Sequence, residues 1–378
     1  MVSSAFPSRP GMSSIALAGG GSGGHLLPAV AVAKRFLQCA PDGRALFLTS
    51  DRAIDQKLLA ANGFPDHRTT WIPLSVQSHR TALKQPWQFL RQHMQAFRVA
   101  RRAIQSAKPD VVLGMGGFAS IPGVLAAKSL GVPVVLMEQN TIPGRATRGL
   151  ARISQAICSG LPLSQSTTQF SCPVYATGIP VRPDFLAPAD PPAHPTSDTP
   201  HVLLVIGGSQ GARSVNQLVS FAVQQPNMIP DGWGLVHQTG EAELSETRQS
   251  CRQFFPAAHV TPLITDMAAA LTRATLIVSR AGATTLAELA CIGRPAILIP
   301  HSGSADHHQL SNARWAESQD AAVVVEEGTA DSPRRFTDML RLCLRDAGVR
   351  EQLANNMRRL AKPDAADDVL RIMGQQVG

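Results

Sequence analysis

Each half of this 378-residue chain begins with the same succession of a short apolar run, a glycine-rich turn and a helix-forming stretch. The first half begins with IALAGGGSGGHLLPAVAVAKRFL and the second with VLLVIGGSQGARSVNQLVSFAV. A strand that ends in a glycine-rich turn before a helix is typical of parallel sheets with crossover helices. The chain is also long enough to bury two hydrophobic cores. We therefore predict an α/β fold of two doubly wound parallel-sheet domains, with ligands held at the carboxyl ends of the strands in the cleft between them.

Short β-branched runs alternate with longer amphipathic stretches along most of the chain. The runs predict nine strands, at residues 14–18, 45–49, 111–115, 132–137, 153–158, 202–206, 234–238, 276–279 and 296–299. Residues 183–200 contain six prolines and no regular apolar period, which predicts a linker. We expect a first domain at 13–182 and a second at 201–362, with a final helix at about 363–378 that returns to the first domain.

Composition argues against several classes of protein. No apolar run reaches the roughly 18 residues of a transmembrane helix, and the N-terminal segment MVSSAFPSRPGMSS lacks the apolar stretch of a secretory signal. The six cysteines form no CxxC pair or metal-ligand spacing, so we expect neither disulfides nor structural zinc. A cytoplasmic protein is expected, and a start at Met1 or at Met12 stays open.

The net charge of +8 comes from one segment of the chain. Between His67 and Pro109 there are eight Lys or Arg residues and no Asp or Glu, while the remainder is balanced at 27 against 27. Within this segment the apolar residues near one helical stripe are Leu90, Met94, Phe97 and Ile104. The stripe either packs on the protein's own sheet or docks on anionic lipid. For the second case the predicted membrane contacts are Trp87, Phe89, Arg91, Phe97 and Arg98. No nucleic-acid motif accompanies the charge, so a nucleic-acid partner is not expected.

The first glycine-rich turn, residues 19–24, satisfies GxGxxG and is suited to holding an anion on its backbone N–H groups. A dinucleotide site would also need an acidic residue about 20 residues later, and Asp51 comes later than that. The second turn, residues 207–211, also matches the GxSxG of hydrolases, with Ser209 as the nucleophile and Asp306 and His307 or His308 in triad order. A hydrolase would not explain the duplicated architecture. A dinucleotide-dependent oxidoreductase and a hydrolase are therefore secondary alternatives.

A third candidate site follows the predicted strand at 276–279, in the sequence RAGATTLAE. N–H groups at a helix start favour a diphosphate without a metal ion, and Glu288 could accept both ribose hydroxyls. Alternatively, Thr285 and Glu288 form a capping box. The chain contains no Asp-x-Asp pair of the kind that holds a nucleotide diphosphate through a divalent metal. The adjacent side chains His301, Asp306, His307 and His308 have poor geometry for a metal site, and we expect them to contact sugar.

These motifs together resemble the MurG family of bacterial glycosyltransferases. The segments that carry the resemblance are AGGGSGGHLLPAVAVA, the stretch 108–151, GIPVRPDF, VIGGSQGARSVNQ, PLITDMAAAL, and 279–313 with its DHHQLSNA. They span the chain in the family's order. The resemblance implies a GT-B fold and inverting transfer of N-acetylglucosamine (GlcNAc) from UDP-GlcNAc to undecaprenyl-diphospho-N-acetylmuramoyl-pentapeptide, known as lipid I. It also implies a peripheral enzyme on the cytoplasmic side of the inner membrane.

The resemblance further implies which residues bind substrates. The nucleotide-sugar contacts would be Ser22, Gly23, Gly24, Asn140, Arg182, Ser209, Ile264, Ala283, Thr284, Thr285, Leu286, Glu288, His308, Gln309 and Asn312. Gly116 and Gly117, with Gly23 and Gly24, would receive the acceptor diphosphate. No obligatory cofactor is implied, while Mg²⁺ stimulation and contacts with other cell-wall synthesis proteins stay open.

Four positions depart from the common family pattern. Ser22 replaces threonine, Met137 replaces a histidine, Ile179 replaces asparagine and Phe118 replaces tyrosine. Any catalytic part assigned to the histidine at 137 cannot apply here, and Ile179 affects the surroundings of Arg182.

Inversion needs a base beside the acceptor hydroxyl, and His25 is the candidate. It follows the first glycine turn directly and is largely neutral at cytoplasmic pH if its pKa is near 6.5. Alternatively, His25 caps the helix or hydrogen-bonds the acceptor diphosphate. Two other functions stay open: a UDP-sugar 2-epimerase of the same fold, and a degenerate GT-B scaffold that binds partners.

Overall fold

A computed structural model describes residues 11–76, 86–164, 169–186, 201–208, 211–255, 258–304 and 307–377. They form two compact units. The first contains the described residues up to Arg182 and those from Lys362 onward, and the second those from Pro183 to Ala361.

The first unit is built on a parallel sheet with the strand order β3-β2-β1-β4-β5-β6-β7. The strands are Ser14–Ala18 (β1), Arg44–Ser50 (β2), Thr69–Leu74 (β3), Val111–Gly114 (β4), Val134–Glu138 (β5), Ala156–Ser159 (β6) and Val174–Ala176 (β7). The helices are Gly23–Cys39 (α1), Ala53–Ala61 (α2), Pro86–Ala107 (α3), Gly117–Ser129 (α4) and Arg145–Leu150 (α5), with a 3-10 turn at Ala151–Ile153. The chain reverses its direction of winding between β1 and β4, which places a ligand-binding crevice at their carboxyl ends.

The second unit has the parallel order β10-β9-β8-β11-β12-β13. Its strands are His201–Ile206 (β8), Trp233–Gln238 (β9), His259–Thr261 (β10), Leu276–Ser279 (β11), Ala296–Leu298 (β12) and Ala322–Val324 (β13). A 3-10 turn at Pro183–Phe185 comes first, and the helices are Arg213–Val223 (α6), Leu244–Phe254 (α7), Met267–Arg273 (α8), Ala283–Ile292 (α9), His308–Ser318 (α10), Ser332–Arg345 (α11) and Ala347–Arg359 (α12). The equivalent winding reversal lies between β8 and β11.

A last helix, Ala365–Gly374 (α13), belongs to the first unit and packs against α1, β4 and β6. Val369, Ile372 and Met373 are fully buried there. Arg35 of α1 donates from Nε to Asp367 Oδ1 at 2.6 Å. The C-terminal segment thereby braces the helix that begins at the first glycine turn.

Helix α3 divides into a buried and an exposed half. Ala96, Ala100 and Ile104 lie in the core of the first unit, and Phe97 packs against that core. Trp87, Leu90 and Met94 are 82%, 52% and 45% exposed. The buried stripe therefore consists of Ala96, Ala100 and Ile104. Phe97, one of the predicted membrane contacts, packs on the core and is not part of the exposed apolar surface.

His237 is fully buried in β9, where its Nε2 lies 2.9 Å from Asn216 Oδ1 of α6. Burial lowers the pKa of His237 to about 3, from 6.5 when unfolded. The unfolded chain therefore binds more protons than the folded protein between those pH values. The free energy of unfolding is then highest above pH 6.5 and falls as the pH drops below it. We expect a loss of about 2 kcal/mol between pH 7 and 5.

The non-titrating variant His237→Gln should show less of this acid loss. Urea denaturation of the full chain at several pH values measures the slope. If the free energy of unfolding falls with pH equally steeply in wild type and variant, His237 is not the source of the acid loss.

Candidate active site

The first glycine turn passes too close to its neighbours to carry side chains. A Cβ at position 19 would lie 2.6 Å from Met115 Cβ, and one at position 20 would overlap with the Asp55 carboxylate. Gly21 has a φ of +82°. Glycine at these positions therefore allows the loops after β1, β2 and β4 to meet at one edge of the sheet.

The buried carboxylate of Asp55 holds this turn. The Gly21 N–H donates to Asp55 Oδ2 at 2.7 Å, and Ser50 donates to the same oxygen from its N–H at 3.2 Å and its Oγ at 2.6 Å. Asp51, the acidic residue that comes too late in the sequence for a dinucleotide site, accepts from Ser75 Oγ at 2.8 Å. Asp55 lies in the first turn of α2, and no spacing motif in the sequence marks it.

The His25 ring lies against the second glycine pair. Gly116 and Gly117 have φ values of +80° and +67°, and a Cβ at 117 would come within 3.1 Å of His25 Nε2. His25 is half-buried in the first turn of α1, whose N-cap residue is the exposed Ser22. His25 is therefore not the cap of this helix, contrary to one alternative drawn from the sequence. The structure brings together Ser22, Gly23, Gly24, His25, Gly116 and Gly117.

Glu138 organises the loop after β5. Its Oε1 accepts from the N–H of Asn140 at 3.0 Å and from Asn140 Nδ2 at 3.2 Å. Its Oε2 accepts from the Gly144 N–H at 2.9 Å and Thr147 Oγ1 at 2.6 Å. Gln139 Nε2 donates to the Met115 carbonyl at 3.0 Å, which joins this loop to the one after β4. Asn140 is thus held by Glu138, a residue that sequence reasoning missed.

Two of the four departures from the family pattern are buried, while Ser22 is exposed and Phe118 half-buried. Met137 lies in β5 and is fully buried, and Ile179 is 2% exposed. A Cβ at Gly160 would overlap with the Ile179 side chain, so this isoleucine packs directly on the loop after β6. Arg182 follows shortly after and is half-buried.

Gln238 joins two loops of the second unit. This buried side chain donates from Nε2 to the Gly208 carbonyl at 2.8 Å and accepts from the Ile264 N–H at 2.9 Å. The Ile264 N–H is therefore already engaged. Ser209 lies outside the described residues.

Helix α9 begins directly after Gly282, its N-cap residue. Thr285 lies inside the first turn, so the capping box with Glu288 that the sequence allowed is wrong. Ala283, Thr284, Leu286 and Glu288 are buried, and Thr285 is half-buried. Asn312, fully buried in α10, donates from Nδ2 to the Ala281 carbonyl at 3.2 Å. The start of α9 and helix α10 are thereby fixed together, with His308 and Gln309 at the start of α10.

A carboxylate network missed by sequence reasoning centres on Glu327, after β13. Arg280 Nη1 donates to Glu327 Oε2 at 2.6 Å, and Ser214 Oγ donates to the same oxygen. Glu327 Oε1 accepts from the N–H and Oγ of Ser302 at 2.8 and 2.9 Å and lies 3.1 Å from His301 Nδ1. Burial by itself would raise the pKa of Glu327, but hydrogen bonds from Ser214, Ser302 and Arg280 and the charge of Arg280 lower it to about 2.

Within the described part of the chain, no group of three or more His, Cys, Asp or Glu side chains is arranged to hold a metal ion. His301 faces Glu327, His307 is exposed and His308 is half-buried at the start of α10. Asp306, a member of the triad order noted in the sequence, lies outside the described residues.

Comparisons with known proteins match the whole architecture. Residues 15–159 match the glycosyltransferase family 28 N-terminal domain and residues 202–369 its C-terminal domain. A protein of Desulfotalea psychrophila is 35% identical over 96% of this chain and 96% of its own length. A protein of Ectopseudomonas mendocina is 36% identical over 93% and 96%. Both are named UDP-N-acetylglucosamine–N-acetylmuramyl-(pentapeptide) pyrophosphoryl-undecaprenol N-acetylglucosamine transferase.

Solved structures agree on the fold. MurG of Acinetobacter baumannii is 27% identical with a TM-score of 0.74, covering 96% of this chain and 99% of that one. The UDP-GlcNAc 2-epimerase of Neisseria meningitidis is 12% identical with a TM-score of 0.67, covering 96% and 100%, which is a likeness of fold alone. The prediction of two Rossmann-like parallel-sheet units is confirmed. The chain belongs to glycosyltransferase family 28, as a member of the MurG family.

Proposed function

We propose that this enzyme transfers GlcNAc from UDP-GlcNAc to the muramoyl 4-hydroxyl of lipid I and forms lipid II for peptidoglycan synthesis. The observation that carries the proposal is the near full-length similarity to relatives named for this reaction. The two units then have separate tasks, because each offers its own glycine turn and helix start at its winding reversal.

In this proposal the second unit binds the donor. The Ile264 carbonyl accepts from the uracil, since its N–H is bonded to Gln238. The first-turn N–H groups of α9, residues 283–286, receive the diphosphate at the positive end of the helix. Glu288, one turn further along, accepts from the ribose hydroxyls. Gln309 and His308 contact the sugar, and Asn312 supports them through its bond to Ala281.

The first unit binds the acceptor. Its diphosphate lies on the N–H groups of Gly23, Gly24, Gly116 and Gly117. The oxygen of the muramoyl 4-hydroxyl attacks the anomeric carbon of GlcNAc, and His25 accepts the proton of that hydroxyl. The bond from that carbon to the diphosphate oxygen breaks, and UDP leaves from the opposite face with inversion.

No metal ion is required in this proposal. Leaving-group charge is met by the helix-start N–H groups, Ser209 and Arg182, through charge-assisted hydrogen bonds of about 1.5–3 kcal/mol each. Mg²⁺ would then act on acceptor binding alone.

We further propose that the exposed half of α3 docks on the cytoplasmic face of the inner membrane. Trp87 is 82% exposed beside the exposed Leu90 and Met94, and Arg91 and Arg98 are exposed nearby. This surface suits a lipid-linked substrate, because apolar side chains insert while arginines meet anionic headgroups. None of the helices in the described part of the chain has the length and apolar content that crossing a bilayer demands.

Replacing Arg91 and Arg98 together by alanine should weaken binding to anionic vesicles by about 2 kcal/mol, or roughly 30-fold, because each arginine contributes about 1 kcal/mol. Wild-type binding should fall as salt rises. Vesicle co-sedimentation measures both effects, with Arg334→Ala, an exposed site in the second unit, as the matched control. If vesicle binding changes neither with salt nor with the substitutions at Arg91 and Arg98, α3 has a role in the protein core only.

The epimerase alternative is tested by omitting the acceptor. Incubation with UDP-GlcNAc alone should leave the sugar nucleotide unchanged, as followed by NMR. Conversion to the 2-epimer without acceptor would contradict the proposal.

A further inference from the structure

One buried carboxylate connects four loops of the second unit. Glu327 follows β13, and its donors come from the start of α6 (Ser214), the end of β11 (Arg280) and the loop after β12 (His301 and Ser302). All four loops lie at the carboxyl ends of parallel strands, where ligands bind in this class of fold. The Glu327 side chain is 5% exposed, so its carboxylate lies behind the surface that a ligand would touch, whereas His301 and Ser302 are exposed.

The network continues to the proposed sugar contacts. Ser302 and His301 belong to the loop between β12 and α10, and the His301 N–H donates to Gln309 Oε1 at 2.9 Å. The orientation of Gln309 is therefore set by a loop that Glu327 anchors. Ile264, the proposed uracil contact, is held instead by Gln238.

We infer that Glu327 is a positioning residue for the donor sugar, which fixes the loop after β12 and, through His301, the amide of Gln309. This inference rests on the proposed function and assigns the sugar half of the donor site, but not its uridine half, to the network. Glu327 itself does not touch the donor.

Glutamine cannot replace this glutamate. Both oxygens of Glu327 accept hydrogen bonds, Oε2 from Arg280 and Ser214 and Oε1 from Ser302. A glutamine amide satisfies one side only and turns its NH₂ towards donors on the other. Because Glu327 is ionised in the folded protein, its loss also leaves the Arg280 guanidinium without its counter-charge.

Calorimetric binding of UDP and of UDP-GlcNAc separates the two halves of the donor without turnover. Glu327→Gln should weaken UDP-GlcNAc binding about 10-fold or more, and UDP binding by about 2-fold or less. Glu326→Gln is the matched control, since the adjacent Glu326 is 42% exposed and pairs with Arg314. Both affinities should be unchanged in that variant.

Glu327→Asp separates positioning from stability. It keeps a negative charge beside Arg280 but withdraws the carboxylate by about 1.5 Å, the length of one carbon–carbon bond. We expect Glu327→Asp to have a Tm closer to that of wild type than Glu327→Gln has, while its UDP-GlcNAc binding stays weak. Recovery of Tm and affinity together, or parallel losses for UDP and UDP-GlcNAc, would show a structural role only and overturn the inference. A wild-type protein that binds UDP but not UDP-GlcNAc would overturn the proposed function and this inference with it.

Discussion

Replacing His25 by alanine is expected to lower kcat by about 10²- to 10⁴-fold, the usual contribution of a general base. The His25 ring lies against Gly117 in the first unit, whereas the proposed UDP contacts other than Arg182 lie in the second. The affinity for UDP should therefore change little. Steady-state kinetics with a soluble lipid I analogue, together with UDP binding, measure the two effects.

His67→Ala is the matched control for this variant, because His67 is an exposed histidine of the first unit. If His25 only hydrogen-bonds the acceptor diphosphate, the substitution should raise the acceptor KM and leave kcat nearly normal. That result would remove the base from the proposed mechanism.

Asp55→Ala should both destabilise the first unit and weaken acceptor binding. The change leaves the N–H of Gly21 and the N–H and Oγ of Ser50 without their acceptor. Each buried donor left unsatisfied costs about 1–3 kcal/mol, so the glycine turn should lose its fixed shape. We expect a lower Tm and an acceptor KM raised about 10-fold or more, with the UDP affinity unchanged.

Asp51→Ala provides the comparison for Asp55, since Asp51 is an exposed carboxylate of the same loop that accepts from Ser75. Its Tm and acceptor KM should stay close to wild type. Equal effects at 51 and 55 would mean that the loop as a whole, rather than the Asp55 carboxylate, supports the turn.

The strands that sequence reasoning missed are the four sheet edges. β3, β7, β10 and β13 each have one neighbour, while all nine predicted strands lie inside the two sheets. An inner parallel strand is covered on both faces and reads as a continuous apolar run, as in LLVI at 203–206. An edge strand such as β7, with all three residues exposed, carries no such signal.

The glycine turns could be predicted, but most of the groups that hold them could not. Glycine is required locally by the backbone, so the turns before α1 and α4 are visible in the sequence. Asp55, Gln238 and Glu327 act on partners that are 34, 30 and 47 positions away, at Gly21, Gly208 and Arg280. Such contacts follow from strand order, because parallel strands distant in sequence end at the same edge. The capping box at Thr285 was wrong for a local reason, since Gly282 is already the N-cap residue of this helix.

The most direct test of the transferase proposal is the transfer of radiolabelled GlcNAc from UDP-GlcNAc to a short-chain lipid I analogue. The assay is run with and without the acceptor, and with EDTA present. We predict a labelled lipid product that depends on the acceptor and persists in EDTA. UDP binding without any labelled product would contradict the transferase, and product lost in EDTA would contradict the metal-free stabilisation of the leaving diphosphate.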